Sequence, residues 1–277
     1  MISYPNAKIN IGLHIINKRE DGFHNIETVF YPIGFVDVLE CKVNKYGAPS
    51  QKCALIAGGI KVSGDLADNL VVRAYESLNQ QFDLPPVVIY LEKRIPTGAG
   101  LGGGSSDAAY TLKGLNDLFA LKLSNKILMQ HAAKLGSDCT FFIENKPAYL
   151  FGKGHELQPI DMNLGGYYFM LFKPEFHSNT ALAYKHATPR GQLIEKESVK
   201  HWITKPIETW KAHLFNDFES SVFSVNKDGA QIKDWLYKQG AVYAAMSGSG
   251  SSIFGLFQDK PKLKGGMQKY LVHEQYL

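Results

Sequence analysis

The chain has 277 residues, 45% of them hydrophobic and 20% charged, with 30 Lys and Arg against 26 Asp and Glu for a net charge of +4. That balance excludes a disordered chain and fits one large domain or two modest ones around a sizeable core. The basic residues are scattered, no apolar run is long enough to span a bilayer, and Met1 to Asn10 lacks a charged start followed by an apolar stretch. A cytoplasmic protein with no nucleic-acid partner, no membrane segment and no secretory leader is therefore expected.

Residues Ala7 to Ile16 alternate, with Ile9, Ile11 and Leu13 on one face of a strand and Lys8 and Asn10 on the other. A turn-like Arg19-Glu20-Asp21-Gly22 leads into Phe23-His24, followed by strand candidates at Glu27 to Phe35 and Asp37 to Val43. Asp68 or Asn69 can cap a helix carrying Leu70, Ala74 and Leu78. A strand at Val87 to Leu91 precedes a glycine-rich run, and a helix with Ala108, Ala109, Leu112, Leu115 and Phe119 on one face follows it. A second helix starts after Ser124, carries Ile127, Leu128, Ala132 and Leu135, and stops at Gly136. The stretch Pro147 to Gly154 reads as the chain leaving this region. The second portion opens with an apolar strand, Tyr167 to Phe172, and passes through a polar, weakly patterned stretch, Thr188 to Lys211. It then forms a helix with Ile232, Trp235 and Leu236 that stops at Gly240, and ends in a strand, tight loop and strand from Ala241 to Phe257. Two α+β halves are implied.

The run Pro96-Thr97-Gly98-Ala99-Gly100-Leu101-Gly102-Gly103-Gly104-Ser105-Ser106-Asp107 holds five glycines in the seven residues from 98 to 104. Between a strand and a helix, such a run lets backbone amides converge on an anion, and the helix N-terminus adds unpaired donors. Gly104 stands where a Walker lysine would be, and a helix, not a strand ending in an acid, follows. Neither a P-loop nor a dinucleotide site fits. No His-Arg-Asp or Asp-Phe-Gly occurs, which excludes a protein kinase. The second small-residue run, Met246 to Ser252, reads as the other wall of the same anion site. Taken singly, Lys8 is a solvated strand lysine and Asp138 a helix cap. Beside a phosphate cradle, an ammonium and a carboxylate are the parts of phosphoryl transfer. The cysteines, Cys41, Cys53 and Cys139, have no metal-binding spacing, and Cys139 is expected as a small buried residue.

The run from Pro96 to Asp107, with Pro5-Asn6-Ala7-Lys8-Ile9-Asn10, Leu135-Gly136-Ser137-Asp138 and Ser247-Gly248-Ser249-Gly250-Ser251, resembles the GHMP superfamily of small-molecule kinases. Arg19 to His24, Asp68-Asn69-Leu70-Val71 and Asn216-Asp217-Phe218-Glu219 narrow the likeness to members acting on a cytidine diphosphate alcohol of isoprenoid biosynthesis. The resemblance implies a two-domain α+β fold: a ribosomal-S5-like ATP-binding domain over residues 1–153, and a ferredoxin-like substrate-binding domain over 154–277. It implies ATP on Pro96, Thr97, Gly98, Ala99, Gly100, Leu101, Gly102, Gly103, Gly104, Ser105 and Ser106, with the adenine near Asn69, Leu70 and Lys93, and Mg2+ as a cofactor held by phosphate oxygens, water and Ser105 or Ser106. It implies Asp138 as the base and Lys8 as its partner. The cytosine would lie between Phe23 and Tyr184, with Asn10, His24 and Thr180 as further substrate contacts. A monomer or weak homodimer is expected. The chain departs from the family pattern at Phe23, where tyrosine is common, and at Ser137-Asp138-Cys139-Thr140, where Ala-Asp-Val-Pro is usual. A GHMP-type kinase for a sugar or a mevalonate-like alcohol is the alternative reading.

Overall fold

A computed structural model describes residues 1–45, 52–62, 64–178, 180–191 and 194–277. In chain order the strands are β1 (Ile2–Ser3), β2 (Asn6–Lys18), β3 (His24–Val36), β4 (Val38–Val43), β5 (Cys53–Gly59), β6 (Val87–Lys93), β7 (Ala148–Phe151), β8 (Glu156–Pro159), β9 (Tyr168–Phe172), β10 (Tyr243–Met246), β11 (Ile253–Phe257) and β12 (Leu271–Tyr276). The helices are α1 (Leu70–Phe82), α2 (Gly103–Leu118), α3 (Asn125–Leu135), α4 (Cys139–Glu144), α5 (Thr180–His186), α6 (Val199–Trp202), α7 (Trp210–His213), α8 (Phe218–Val225) and α9 (Lys227–Lys238). They build two compact units. One takes Met1–Ala7, Phe35–Thr97 and Gly102–Lys146, the other Lys8–Gly34, Gly98–Leu101 and Pro147–Leu277.

The first unit is a four-stranded sheet, β1-β4-β6-β5, with helices on it. Strands β5 and β6 run parallel, with Leu55 opposite Ile89, and α1 supplies the crossover that parallel neighbours need. Helix α1 starts where expected. Asn69 is its N-cap, and its side chain accepts a hydrogen bond from the Val71 amide at 2.9 Å. The helix buries Val71, Val72, Ala74, Tyr75 and Leu78, an i, i+3, i+4 stripe, against α2 and β5. Helix α2 buries Ala108, Ala109, Leu112 and Leu115, and α3 buries Leu128, Ala132 and Leu135, both as their periodicity predicts.

The second unit carries the sheets β2-β3-β7-β8 and β10-β11-β9-β12, the latter antiparallel throughout. The expected strand–loop–strand is the hairpin β10–β11, with Met246 opposite Ile253. Tyr168, Met170 and Phe172 of β9 join Phe218, Val222, Ile232 and Leu236 of α8 and α9 in one apolar core. The polar stretch Thr188 to Lys211 contributes the short helices α6 and the start of α7, whose apolar residues Val199 and Trp210 are buried. Among the described residues, no helix is long and apolar enough to cross a membrane.

Candidate active site

Within the second unit, residues Gly98–Leu101 and the β10–β11 loop are locked together. Ser247 donates its hydroxyl to the Gly100 carbonyl at 2.8 Å, and the Ser252 amide donates to the Ala99 carbonyl at 3.1 Å. A methyl group at Gly100 would lie 1.9 Å from the Ser247 carbonyl oxygen, and Gly100 has φ +78°. Glycine is thus required there twice over, for close approach and for backbone conformation. The expected adjacency of the two glycine loops is observed. Strand β2 stitches both in place: the Lys8 amide donates to the Leu101 carbonyl at 2.9 Å, and the Asn10 amide donates to the Ser247 hydroxyl at 3.1 Å.

Lys8 and Asn10 share a face, as alternation requires, but that face is buried. Each residue is only 3% exposed. The Lys8 ammonium donates to Asn10 Oδ1 at 2.6 Å and lies 4.1 Å from the centre of the Phe30 ring. Asn10 Nδ2 donates to Thr28 Oγ1 at 3.0 Å, so the amide orientation is fixed. A lysine held so tightly offers a charge with few alternative positions, which suits stabilising a developing oxyanion.

The run Asn216-Asp217-Phe218-Glu219, which the sequence singles out without a role, is the scaffold of the second loop. Asn216 Nδ2 donates to the carbonyls of Met246 and Gly248, both at 2.7 Å. Glu219 accepts from the Met246 amide at 2.8 Å and from the Lys233 ammonium at 2.6 Å. Burial raises the Glu219 pKa and Lys233 opposes that rise. Asp217 accepts from the Ile15 amide of β2 at 2.8 Å and pairs with Arg190 at 2.6 Å.

In the first unit, Gly102 is the N-cap of α2 with φ +69°, and the Ser106 amide bonds back to its carbonyl at 2.9 Å. The earlier amides of a first turn lack intrahelical partners and point outward, as an anion site requires. Pro96 and Thr97 are half-buried and Gly104 is exposed. The Ser106 hydroxyl is buried without a partner. Lys93, expected near the adenine, has its ammonium enclosed by Asp37 and Asp107. Burial, reinforced by the Asp37 carboxylate against the pull of Lys93, holds Asp107 above the usual carboxylate range. Asp138 occupies the N-cap position of α4, yet its side chain makes no capping bond, and the Ser137 hydroxyl donates to it at 3.2 Å. Cys139 is fully buried, and burial pushes its thiol up to about 11, so it is an inert core residue as expected.

Of the aromatic residues, Phe23 is 62% exposed at the tip of the β2–β3 hairpin. Asp21 organises that tip, accepting from Lys153 at 2.7 Å and from the Phe23 amide at 3.2 Å, and the Lys153 ammonium lowers its pKa to about 2. The Lys153 nitrogen also lies 5.1 Å from the Phe23 ring centre. Tyr184 on α5 stacks on His24, with centroids 5.0 Å apart and planes at 19°. Thr180 and Ser249 share a hydrogen bond between hydroxyls at 2.8 Å. Burial, then Lys18, lowers the His24 pKa.

The chain is similar to known proteins. A model of the GHMP kinases N terminal domain matches residues 69–146, and one of the GHMP kinases C terminal region matches 203–270. A 4-diphosphocytidyl-2-C-methyl-D-erythritol kinase of Bacteroides fragilis (strain YCH46) is 50% identical over 263 residues, 95% of this chain and 94% of its own. The Cytophaga hutchinsonii protein of the same name is 46% identical with the same coverage. The crystal structure of a 4-(cytidine 5'-diphospho)-2C-methyl-D-erythritol kinase matches with a TM-score of 0.76 at 30% identity, over 92% of this chain and 90% of that one. The Methanococcus jannaschii mevalonate kinase, at TM-score 0.69 and 12% identity, shares the fold alone. The α+β fold is that of the two-domain GHMP kinases, and the chain belongs to the GHMP kinase family and, within it, to the 4-diphosphocytidyl-2-C-methyl-D-erythritol kinases.

Proposed function

We propose that the protein transfers the γ-phosphoryl group of ATP to the 2-hydroxyl of 4-diphosphocytidyl-2-C-methyl-D-erythritol, a step of non-mevalonate isoprenoid biosynthesis. The observation that carries this reading is the interlock of two glycine loops through Gly100 and Ser247, stitched to the strand that bears the buried Lys8. Residues Pro96 to Ser106 hold the triphosphate, and Asn69, Leu70 and Lys93 lie near the adenine. Asp138 accepts the proton of the attacking hydroxyl while the oxygen–phosphorus bond forms and ADP leaves, and Lys8 steadies the charge. The cytosine lies between Phe23 and Tyr184, with Asn10, His24 and Thr180 as polar contacts. The division at residue 153 into an ATP half and a substrate half is supported by the two family models, which fall on either side of it.

Hard oxygen donors fit Mg2+, and we assign to it the buried, unpartnered Ser106 hydroxyl, with Ser105 beside it. When bound, the ion offsets charge on the β- and γ-phosphates. Among the described residues, no cluster of three His, Cys, Asp or Glu could hold it alone. We place the enzyme in the cytoplasm as a monomer or weak homodimer; all three cysteines are free thiols, which supports a reducing compartment.

The test is ATP-dependent phosphorylation of the cytidine diphosphate alcohol beside a sugar and mevalonate. Preference for the cytidine compound is expected, and equal turnover on an alcohol lacking cytosine overturns the substrate assignment. In the same assay Asp138→Asn should lower kcat roughly 10²- to 10⁴-fold with KM for ATP little changed. Near-normal turnover would remove Asp138 from the mechanism.

A further inference from the structure

Three charged side chains lie buried beneath the first turn of α2. Lys93 is 2% exposed, Asp37 0% and Asp107 2%. The Lys93 ammonium donates to the Asp37 carboxylate and, at 2.8 Å, to Asp107 Oδ2. Asp37 Oδ1 accepts in turn from the amides of Arg94 and Ile95, at 2.5 and 2.8 Å, which continue the chain out of β6. Asp107 is the fifth residue of α2, just past its first turn, so the cluster ties the strand that enters the glycine run to the helix that leaves it. The helix rests on the lysine itself. A methyl group at Gly103 would lie 2.9 Å from Lys93 Nζ and 2.8 Å from Ile95 Cγ2.

Burying three charges is costly and is tolerated only where the geometry is fixed. One lysine offsets one of the two carboxylates. Asp107 Oδ1 is buried without a partner, and burial together with Asp37 favours its protonated form. A neutral group of the same shape at position 107 therefore preserves the anchor, whereas deletion of the group removes it.

We propose that Asp37, Lys93 and Asp107 are positioning residues that aim the first-turn amides of α2 at the triphosphate of ATP, with Lys93 serving the nucleotide from under the helix through its side chain. This rests on the reading that ATP sits on the loop from Pro96 to Ser106. Such a role moves nucleotide affinity selectively, whereas a merely structural role moves thermal stability and both substrates alike.

The experiment is steady-state kinetics with both substrates varied, alongside thermal unfolding. Asp107→Ala should raise KM for ATP about tenfold, with KM for the cytidine substrate changed less than about twofold. Asp107→Asn should return KM for ATP to within about threefold of the unaltered protein. An Ala variant with normal KM for ATP, one that shifts both KM values equally, or an Asn variant no better than Ala overturns the proposal. If the Ala variant does not fold, Asp37→Asn, at a residue not placed at the nucleotide, keeps the shape and removes the charge that Lys93 pairs with. A selective rise in KM for ATP is then expected, and an unchanged value overturns the proposal. Gly104→Asp separates this from the underlying reading, because Gly104 is exposed at the helix start and clear of close neighbours. A carboxylate there should abolish ATP binding, and intact binding would place ATP elsewhere whatever the triad does.

Discussion

The second unit contains two regions assembled in opposite ways. The interlocked loops, with Lys8 and Asn10, are backbone and mostly small polar side chains, largely buried and tied by hydrogen bonds to one another and to β2. The aromatic group at Phe23, His24 and Tyr184 is a set of rings on a hairpin tip and a short helix, with Phe23 mostly in solvent. Phosphoryl transfer depends on fixed donors, and small displacements are expensive there. Gripping a flat base depends mainly on the rings' faces and tolerates adjustment. The contrast implies that substitutions in the first region act through geometry and stability, and those in the second through affinity for one substrate.

The sharpest way to break that contrast is Gly100→Ala. The added methyl would strike a carbonyl oxygen, and the backbone at φ +78° disfavours any side chain, so the two loops must separate. Turnover should fall about 10²-fold or more, the scale of an ångström-sized misplacement. An active Gly100→Ala enzyme would show that the interlock does not matter for catalysis.

Asn216→Ala comes next. Removing the amide strands the buried carbonyls of Met246 and Gly248, and each unsatisfied group costs about 1–3 kcal/mol. A loss of about 2–4 kcal/mol in urea unfolding is expected, with a smaller fall in turnover than for Gly100→Ala. A loss of activity with stability intact would mean that Asn216 touches a substrate and does not merely hold the loop.

These two positions also mark how far the residues alone could be read. The glycine loops were legible because five glycines in seven residues need a reason, and the left-handed φ values at 98, 100 and 102 supply it. The Asn69 cap was legible because capping is local. Lys8 was harder. Alternation gives one face of β2 to solvent, but the strand's outer edge is taken up by Leu101, Phe215, Asp217 and Ser247, which lie far along the chain. Asn216 and Asp37 act on partners 30 and more residues away, and no local pattern announces such pairings. Gly136 does end α3, but with an extended φ of 173° and not the left-handed cap that glycine usually marks. The stop signal was read correctly for a reason the backbone does not share.

In the aromatic region the expected effects are smaller and confined to one substrate. Phe23→Ala and Tyr184→Ala should each raise KM for the cytidine compound about tenfold, the scale of one lost stacking contact, with KM for ATP unchanged. Phe23→Ala should leave thermal stability intact, since the ring is 62% exposed. Tyr184→Ala should lower it, because Tyr184 also packs edge-on against the buried Phe218 at 4.7 Å. Equal effects of both variants on stability would blur the line between the regions.

Acid separates a buried carboxylate of β3 from one at the hairpin tip, at the lowest energy scale. Glu27 is 4% exposed, and its carboxylate accepts from His14 at 3.1 Å, from the Val199 amide at 2.7 Å and from the Tyr149 hydroxyl at 2.6 Å. Burial alone would raise its pKa, but these bonds together lower it. A carboxylate with a lowered pKa stabilises the fold above its unfolded value, near 4.3, and that stability fades as pH drops through the folded value. Glu27→Gln should therefore cost about 1 kcal/mol at neutral pH, and the gap to the unaltered protein should narrow as pH falls below the unfolded value. Asp21 on the hairpin tip also has a lowered pKa, yet its ion pair with Lys153 sits in water and is screened. Asp21→Asn should leave the melting temperature unchanged across the same range. The two carboxylates shift in the same direction, and only the one whose partners are buried converts that shift into stability. An acid dependence that follows Asp21 and ignores Glu27 would show that burial of the partners does not decide which shift becomes stability.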